Sequence, residues 1–328
     1  MSLDADFIVD RRRMRRKLTF WRVFAVLFAI CAVVAAGIAV RVQGSGVLAE
    51  ATGTSIARVT ITGLIRTDRQ RVEAFERLAK SSAKAVIVHI NSPGGTTSGS
   101  EELHDSLMRL KDEKPVVVVV DGLAASGGYI AALGADHIVA GETSLVGSIG
   151  VIFQFPNFSE ALKTLGIKVE EIKSSPLKAA PNGFEPTSPE ARAAIEAIVL
   201  DSYTWFRDLV KTRRGLDDAA LDRVADGRVF TGRQGVGLKL VDELGDERAA
   251  VAWLAKEKNI DPKTPVRDYR LRDRFSDLPF LHTTAVVTLE ALGLGSFARR
   301  IEESGAVQAI ERLNLDGLLA LWHPQAAN

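Results

Sequence analysis

One serine lies among small residues immediately after an apolar run. Ser126 belongs to the sequence GLAASGGY at residues 122–129, and the run PVVVVV at residues 115–120 predicts a strand that turns into a helix at this point. A serine hydroxyl at such a bend can attack a carbonyl carbon, and the N–H of Gly127 can bind the oxyanion that forms. Serine is also a frequent helix N-cap, so the position alone does not establish catalysis. The esterase pattern G-x-S-x-G is not matched, because Ala124 stands at its first glycine.

A glycine pair follows the preceding apolar run. Residues 85–90 (AVIVHI) predict a buried strand, and the sequence NSPGG, which contains Gly94 and Gly95, ends it. Glycine allows backbone N–H groups to face a ligand without obstruction by a side chain. Ligands of open α/β sheets bind beyond the carboxyl ends of the strands, so we expect the glycines to lie near Ser126 as part of an oxyanion hole. A simple turn is the alternative interpretation.

A nucleophilic serine requires a general base. None of the five histidines has the sequence context of a catalytic triad: His89, His104, His137, His282 and His323. A lysine can serve instead when burial lowers the pKa of its amine, by up to about 3 to 5 units. The residues alone leave the identity of that lysine open.

Strand and helix patterns alternate around these residues. Strands are predicted at residues 56–62, 85–90, 115–120, 137–140, 146–153 and 169–172. Helices are predicted at residues 68–80, 100–110, 189–213 and 217–225, with a turn-rich link at 229–236. The apolar runs lack polar alternation, as do parallel strands covered by helices on both faces, so the pattern predicts a layered α/β domain. In the tail, apolar spacing at residues 289–294 and 307–321 predicts amphipathic helices.

The N-terminal region has the pattern of a membrane anchor. Six arginine and lysine residues lie between positions 11 and 17, and residues 23–40 carry no charge. That uncharged length suffices for a helix that crosses a bilayer. We therefore predict a cytoplasmic segment at residues 1–19, a transmembrane helix at 20–41, a linker at 42–54 and an exported remainder. A cleaved signal peptide is the alternative, because residues 35–37 (AAG) are small enough for a cleavage site.

Composition excludes other classes of function. The chain has 42 basic and 41 acidic residues, and the net charge of +1 provides no field that would attract nucleic acid. Cys31 is the only cysteine, so neither an internal disulfide nor a cysteine-rich metal site can form. We expect no nucleic-acid partner, no metal and no cofactor.

Five short segments together resemble the signal peptide peptidase A family, to which SohB-type peptidases are related. These segments are INSPGG at residues 90–95, AASGGY at 124–129, VGSIGVI at 146–152, IKSSPLK at 172–178 and DGRVFTGRQ at 226–234. They occur in order, and the resemblance extends from about residue 56 to 254. It implies a Clp protease/crotonase-like α/β fold at residues 55–258, followed by a partly helical C-terminal extension at 259–328.

The resemblance also implies roles for particular residues. Ser126 matches the nucleophile and Lys178 the general base of a Ser-Lys dyad, and Ser148 matches the serine that hydrogen-bonds the lysine. Gly95 and Gly127 match the oxyanion donors, and the remaining glycine of the pair, Gly94, supports the turn.

One departure from the family pattern leaves a second candidate base. The family often has Ser-Gly before the lysine, whereas this chain has SSPL at residues 174–177. Lys173, five residues before Lys178, therefore remains a competing candidate. The other possibility for both lysines is a solvated surface charge.

The function that the resemblance implies is that of a membrane-anchored serine endopeptidase. Its substrates would be cleaved signal peptides and similar short segments. Its assembly would be a dome-like homo-oligomer, possibly an octamer, attached to the bilayer of a bacterial inner membrane with its catalytic domain in the periplasm. Two alternatives remain open: a crotonase-like acyl-CoA enzyme, and an inactive membrane scaffold of the same fold.

Overall fold

The computed structural model describes residues 54–271 and 319–321, and in this part of the chain nine strands form one mixed sheet. The strands are β1 (Ile56–Ile65), β2 (Ala85–Thr96), β3 (Val116–Ala125), β4 (His137–Ala140), β5 (Leu145–Gly147), β6 (Val229–Thr231), β7 (Glu243–Leu244), β8 (Val266–Asp268) and β9 (Leu319–Leu321). The main order is β6-β5-β3-β2-β1-β8, while β4 pairs with β3 and β7, and β9 pairs with β2. Strands β1 to β5 pair in parallel, whereas β6 and β9 are antiparallel to their partners.

Helices cover both faces of this sheet. They are α1 (Arg69–Ala79), α2 (Thr97–Glu113), α3 (Gly127–Ala132), α4 (Ser159–Thr164), α5 (Pro189–Arg214), α6 (Asp218–Val224), α7 (Gly232–Gly237) and α8 (Glu247–Lys258). The larger apolar core lies between one face and helices that include α1, α2, α3 and α5. A smaller core packs the other face against α8. The predicted layered α/β architecture is therefore confirmed, and the uniformly apolar runs of β2 and β3 are explained by burial on both faces.

The two central strands extend beyond their predicted apolar runs. Strand β2 continues through the glycine pair to Thr96, and β3 continues to Ala125. Only glycine fits at position 95, because a Cβ atom there would lie 1.8 Å from the carbonyl oxygen of Ile65 in β1. The close contact between these two backbones holds the glycine pair beside the end of β3.

Several sequence predictions differ from the observed elements. Residues 169–172 form no strand and are exposed, because their alternating pattern has no neighbouring strand to pair with in the described chain. Of residues 146–153, only β5 and an isolated bridge at Ile152 pair with other residues. The link at 229–236 contains β6 and most of α7.

The C-terminal region also departs from its predicted pattern. The helix predicted at residues 307–321 is wrong for its last three residues, which form β9 and pair with β2. Strand β8, which pairs with β1, lies beyond residue 258, where we expected the peptidase domain to end. The remainder of the predicted C-terminal extension, with the helix at 289–294, lies outside the described residues.

The membrane anchor predicted at residues 20–41 lies outside the described residues, as do the cytoplasmic segment at 1–19 and all but the last residue of the linker at 42–54. Among the residues that are described, no helix combines the length and the apolar character needed to cross a bilayer.

Candidate active site

Ser126 lies at the junction between β3 and α3 in a conformation that non-glycine residues rarely adopt. Its φ and ψ angles are 54° and −117°, and its relative exposure is 1%. Its N–H donates to the carbonyl oxygen of Gly147 at 2.7 Å, and its own carbonyl oxygen accepts from the N–H groups of Tyr129 and Ile130 at 2.9 Å each. These three bonds fix the backbone, while the hydroxyl makes no helix-capping bond. Ser126 therefore occupies the N-cap position of α3 without a side-chain capping bond, and backbone strain of this kind is characteristic of functional sites.

Ser148 occupies the equivalent position on the adjacent strand. Ala125 of β3 pairs with Gly147 of β5, and the next residue on each strand is a serine, Ser126 and Ser148. Ser148 is also buried and has a positive φ of 53°. Its N–H donates to the carbonyl oxygen of Arg228 at 2.8 Å. Because paired strands lie about 4.8 Å apart, the structure brings these two predicted site residues together.

The three glycines of the predicted oxyanion hole have different backbone environments. Gly94 has a φ of 104°, and its N–H donates to the hydroxyl oxygen of Ser92 at 3.1 Å, which agrees with a supporting role in the turn. Gly95 is held against β1 by the close backbone contact with Ile65. Gly127 is the first residue of α3, and N–H groups in a first helical turn have no acceptor within the helix. Gly95 and Gly127 are thus the better candidates for binding an oxyanion.

A cavity of about 600 Å³ lies beside Ser148. Its lining includes Ser148 and the chain that follows it, residues of α5 and the turn before β6, and Leu321 of β9: Ser148, Ile149, Gly150, Val151, Ile152, Val199, Leu200, Tyr203, Ala225, Asp226, Gly227 and Leu321. The Tyr203 hydroxyl donates to the carbonyl oxygen of Ala225, which ties α5 to the opposite wall. The cavity is mostly apolar at its side chains and can accept an apolar side chain of a ligand.

The predicted general base lies in a part of the chain that, unlike the surroundings of Ser126, is not buried. Residues 153–188, here named the lysine segment, contain Lys178 and no buried residue. Lys178 is exposed, its backbone N–H donates to the Ser175 carbonyl oxygen at 3.1 Å, and no described hydrogen bond joins its amine to Ser126 or Ser148. The pairing of this lysine with the serine therefore stays a prediction.

The competing base, Lys173, is held as a cation. Its amine lies 2.7 Å from a carboxylate oxygen of Glu171 and 2.5 Å from one of Glu185. The hydrogen bonds that its amine donates to Glu171 and then to Glu185 raise the pKa of Lys173 above its ordinary value. Because a general base must be neutral to accept a proton, this environment disfavours Lys173 in that role.

Two of the described histidines, His89 and His137, make contacts of the kind expected of structural residues. His89 lies between two carboxylates, with Nδ1 2.8 Å from Asp121 and Nε2 2.9 Å from Glu247. His137 stacks on the ring of Trp253 with a centroid distance of 4.7 Å. His282 and His323 lie outside the described residues. In the part of the chain that the structure describes, no cluster of three or more His, Cys, Asp or Glu residues is arranged to bind a metal ion.

Comparison with known proteins identifies the family. The sequence profile of "Peptidase family S49" matches residues 108–261, and that of "Clp protease" matches residues 66–142. A Synechocystis protein provisionally named a protease is 35% identical over 64% of this chain, and the match covers 77% of that protein. The chain belongs to peptidase family S49. A protein of Enterococcus faecium that is provisionally named signal peptide peptidase SppA is 34% identical over 56% of this chain and 54% of its own length.

Membership of family S49 confirms the resemblance and the class of enzyme. The chain is a serine peptidase, and its α/β sheet has the Clp protease-like fold that the resemblance implies. A ClpP1 mutant from Listeria monocytogenes aligns with a TM-score of 0.41 and 16% identity over 58% of this chain and 92% of that structure. The chain spans about half the length of the Enterococcus relative.

The sequence did not reveal the wall of the cavity formed by α5. Val199, Leu200 and Tyr203 are distant in sequence from Ser148 and have the ordinary spacing of a helix that packs against a core. Their proximity to the site depends on how α5 crosses the sheet, for which a single sequence carries no local pattern.

Proposed function

We propose that this S49 peptidase is a membrane-anchored endopeptidase that cleaves exported signal peptides and similar short, extended segments. In this proposal Ser126 is the nucleophile, Lys178 the general base, and the backbone N–H groups of Gly95 and Gly127 bind the oxyanion. The observation that carries the proposal is the buried, strained Ser126, which directly follows β3, directly precedes Gly127 and lies beside Ser148 at the carboxyl end of the sheet.

The chemistry is acyl transfer. Neutral Lys178 accepts the hydroxyl proton of Ser126, and the oxygen attacks the peptide carbonyl. The oxyanion is stabilised by the two glycine N–H groups, and loss of one such donor typically raises the barrier by about 2.7 to 4 kcal/mol. The lysine then protonates the leaving amine, and water activated by the same lysine hydrolyses the acyl-enzyme. Ser148, on the strand next to that of Ser126, orients the lysine amine by a hydrogen bond.

The exposure of the lysine segment supports the proposal that subunits must assemble before this chemistry can occur. A lysine is neutral near pH 7 only when its surroundings remove water from it. Lys178 is exposed in the single chain, and apolar side chains of the same segment are also exposed, among them Leu165, Ile172 and Phe184. Exposed apolar groups in one continuous segment are typical of interaction surfaces. We therefore propose a homo-oligomer in which neighbouring subunits cover the lysine segment, in keeping with the dome-like assembly of the family.

The proposed substrates follow from the relatives and from the cavity. The Enterococcus relative carries the name signal peptide peptidase SppA, and hydrophobic signal peptides are the substrates which that name indicates. The apolar lining of the cavity beside Ser148 favours an apolar side chain near the cleaved bond.

The proposed location is a bacterial inner membrane, with the N-terminus in the cytoplasm and the peptidase domain in the periplasm. The support is the basic cluster at residues 11–17, followed by the uncharged stretch at 23–40. A reporter that is active only after export, fused after Val42, is expected to be active, and one that is active only in the cytoplasm is expected to be silent. The reverse pattern would contradict the orientation.

Hydrolysis of a quenched-fluorescent peptide with apolar residues tests the proposed dyad. Ser126→Ala and Lys178→Ala are expected to lower kcat by about 10³-fold or more, because the catalytic groups act as a unit. Lys173→Ala is the matched control in the same segment and is expected to retain most of the activity. Parental turnover in Lys178→Ala, with loss in Lys173→Ala, would transfer the role of base to Lys173. An inactive parental enzyme, with correct folding and assembly, would favour the scaffold alternative.

A further inference from the structure

Strand β2 shifts register with both of its neighbours at Ser92, just before the glycine pair. In the pairing of β1 with β2, the single residue Gly63 faces two residues, Ser92 and Pro93. In the pairing of β2 with β3, the register shifts between Ile90 and Ser92. A regular ladder of backbone hydrogen bonds requires a continuous register, so the ladder is interrupted where the oxyanion strand begins.

The hydroxyl group of Ser92 bridges this interruption. It donates to the carbonyl oxygen of Gly63 at 2.7 Å, and it accepts from the N–H of Gly94 at 3.1 Å. The carbonyl oxygen of Gly94 lies further away, at 3.4 Å, so the single hydroxyl proton is assigned to Gly63. Ser92 has a relative exposure of 0%, and bulk water therefore does not compete for these bonds. One side chain thus ties the backbone of β1 to the first glycine of the pair.

The backbone of Ser92 packs against the helix that follows the nucleophile. A Cβ atom at Gly128 would lie 2.7 Å from the carbonyl oxygen of Ser92 and 3.3 Å from its Cβ atom. Gly128 directly follows Gly127, and Gly94 directly precedes Gly95. Ser92 therefore contacts the chain neighbour of each proposed oxyanion donor, through its hydroxyl on one side and through its backbone on the other.

We propose that Ser92 is a positioning residue that holds the two oxyanion donors, the N–H groups of Gly95 and Gly127, in their relative placement. This inference rests on the proposed function. The hydroxyl uses its proton and a lone pair on backbone groups, so it acts through the glycines and does not touch the substrate. Donors that are fixed before the reaction stabilise an oxyanion most, because none of the binding energy is spent on moving them.

The proposal also gives a role to Gly63, which lies on the exposed side of this connection. Its φ of 71° lies in the left-handed region, and a Cβ atom there would meet no atom within 4 Å. Space therefore permits a side chain, but a β-branched residue disfavours the left-handed conformation, whereas asparagine adopts it readily. Gly63→Val is expected to redirect the carbonyl oxygen that Ser92 binds, and Gly63→Asn is expected to preserve it.

The first experiment compares two buried serines in the full-length, assembled enzyme. Ser106 of α2 is the matched control, because it is also buried and its hydroxyl donates to the carbonyl oxygen of Glu102 at 2.8 Å. Ser92→Ala and Ser106→Ala are each expected to lower the thermal midpoint by about 2 to 4 °C. Only Ser92→Ala is expected to lower kcat for a quenched-fluorescent peptide, by about 10- to 100-fold, with KM unchanged. A kcat no lower than that of Ser106→Ala would show that Ser92 only stabilises the fold.

The second experiment uses a peptide aldehyde as a probe of the oxyanion hole. Ser126 adds to the aldehyde carbon, its hydroxyl proton passes to the general base, and the aldehyde oxygen becomes an oxyanion bound by the same N–H groups. The inhibition constant is expected to rise in Ser92→Ala by the factor by which kcat/KM falls, and to stay parental in Ser106→Ala. An equal inhibition constant in Ser92→Ala and the parent would contradict the inference.

The third experiment approaches the same hydrogen bond from Gly63, which keeps the inference testable if Ser92→Ala does not fold. Gly63→Val is expected to lower kcat by about tenfold with KM unchanged, and Gly63→Asn is expected to recover most of that loss. The double variant Gly63→Val with Ser92→Ala is expected to lose no more activity than Ser92→Ala alone, because both changes act through one hydrogen bond. Parental kcat in Gly63→Val, or additive losses in the double variant, would overturn the inference.

These measurements separate the inference from the proposed function. Peptide hydrolysis that survives in Ser126→Ala would refute the proposed chemistry. Hydrolysis that depends on Ser126, with parental kcat in both Ser92→Ala and Gly63→Val, would leave the peptidase intact and refute the positioning role of Ser92.

Discussion

The surroundings of Ser126 and the lysine segment differ in almost every physical respect. Ser126 is buried, its backbone is fixed by three hydrogen bonds, and Ser148, which follows the neighbouring strand, also has a positive φ. The lysine segment, residues 153–188, contains no buried residue and only one short helix, α4. Its side-chain partners are mainly other residues of the same segment, such as Glu171 and Glu185 around Lys173.

This contrast indicates how the active site is completed. In the proposed assignment, a single chain supplies the nucleophile, the glycines and the cavity, because these lie on strands and helices that share one core. It does not supply a dry environment for Lys178, because that lysine lies where the chain packs least. On our account, the nucleophile is positioned by folding and the base by assembly.

The largest effect is expected on the nucleophile side, from Gly95→Ala. The new Cβ atom would lie 1.8 Å from the carbonyl oxygen of Ile65, so β1 and β2 must separate and the N–H of residue 95 moves. We expect kcat to fall by about 10²- to 10³-fold, as for the loss of an oxyanion donor, with a loss of stability of about 1 to 3 kcal/mol. Peptide hydrolysis and denaturant unfolding measure the two effects.

Gly237→Ala is the matched control for this change. A Cβ atom at position 237 meets no atom within 4 Å, so activity and stability are expected to stay near parental values. Parental kcat in Gly95→Ala would exclude this glycine from the oxyanion hole.

A smaller but more diagnostic effect is expected in the lysine segment, from Ile172→Asp. Ile172 is fully exposed, so the charge should change the stability of the single chain by no more than about 0.5 kcal/mol. If this side chain is buried between subunits, the variant dissociates and loses activity. Analytical ultracentrifugation together with peptide hydrolysis measures both assembly and activity.

Val236→Asp is the control for this change. It charges an exposed apolar residue outside the segment and is expected to change neither assembly nor activity. Full activity of a monomeric Ile172→Asp variant would refute completion by assembly.

The smallest expected effect is on the pH dependence of stability, and it arises from a buried histidine in the core that supports the nucleophile. His104 of α2 is buried, its Nε2 has no hydrogen-bond partner in the described chain, and burial lowers its pKa despite the opposing effect of Asp105. The unfolded chain, with a histidine pKa of about 6.5, therefore binds a proton first as the pH falls, and stability decreases below that pH.

His104→Leu removes this proton linkage. Between pH 7.5 and pH 5.5, its thermal midpoint is expected to fall less than that of the parent, by about a few degrees. Differential scanning calorimetry at the two pH values measures the difference. An identical pH dependence in parent and variant would show that His104 does not contribute.

The parts of the fold that follow local sequence patterns were predictable. The apolar runs of β2 and β3 identified buried parallel strands, and the residues directly after them identified Ser126 and the glycine pair. Strand β4 was predicted with its observed bounds, because His137 to Ala140 is a short apolar run between turn residues. In each of these cases the chain's own core determines the structure.

The predictions failed where pairing depends on distant residues. The alternation at residues 169–172 resembles a strand, but no strand of the described residues pairs with it, whereas the leucine-rich residues 319–321 have helical spacing and yet pair with Gly94 to Thr96. In the proposed assembly, the burial of Lys178 likewise depends on contacts beyond the single chain. A sequence shows which side chains are apolar, but not which surface will cover them.

Covalent labelling of the nucleophile tests the central claim most directly. The assembled enzyme is treated with a fluorophosphonate, and the modified residue and the rate of modification are determined by mass spectrometry. Our account predicts a single adduct on Ser126, formed at least about tenfold more slowly in Lys178→Ala and at the parental rate in Lys173→Ala. An adduct on another residue, or an equal labelling rate in Lys178→Ala and the parent, would contradict it.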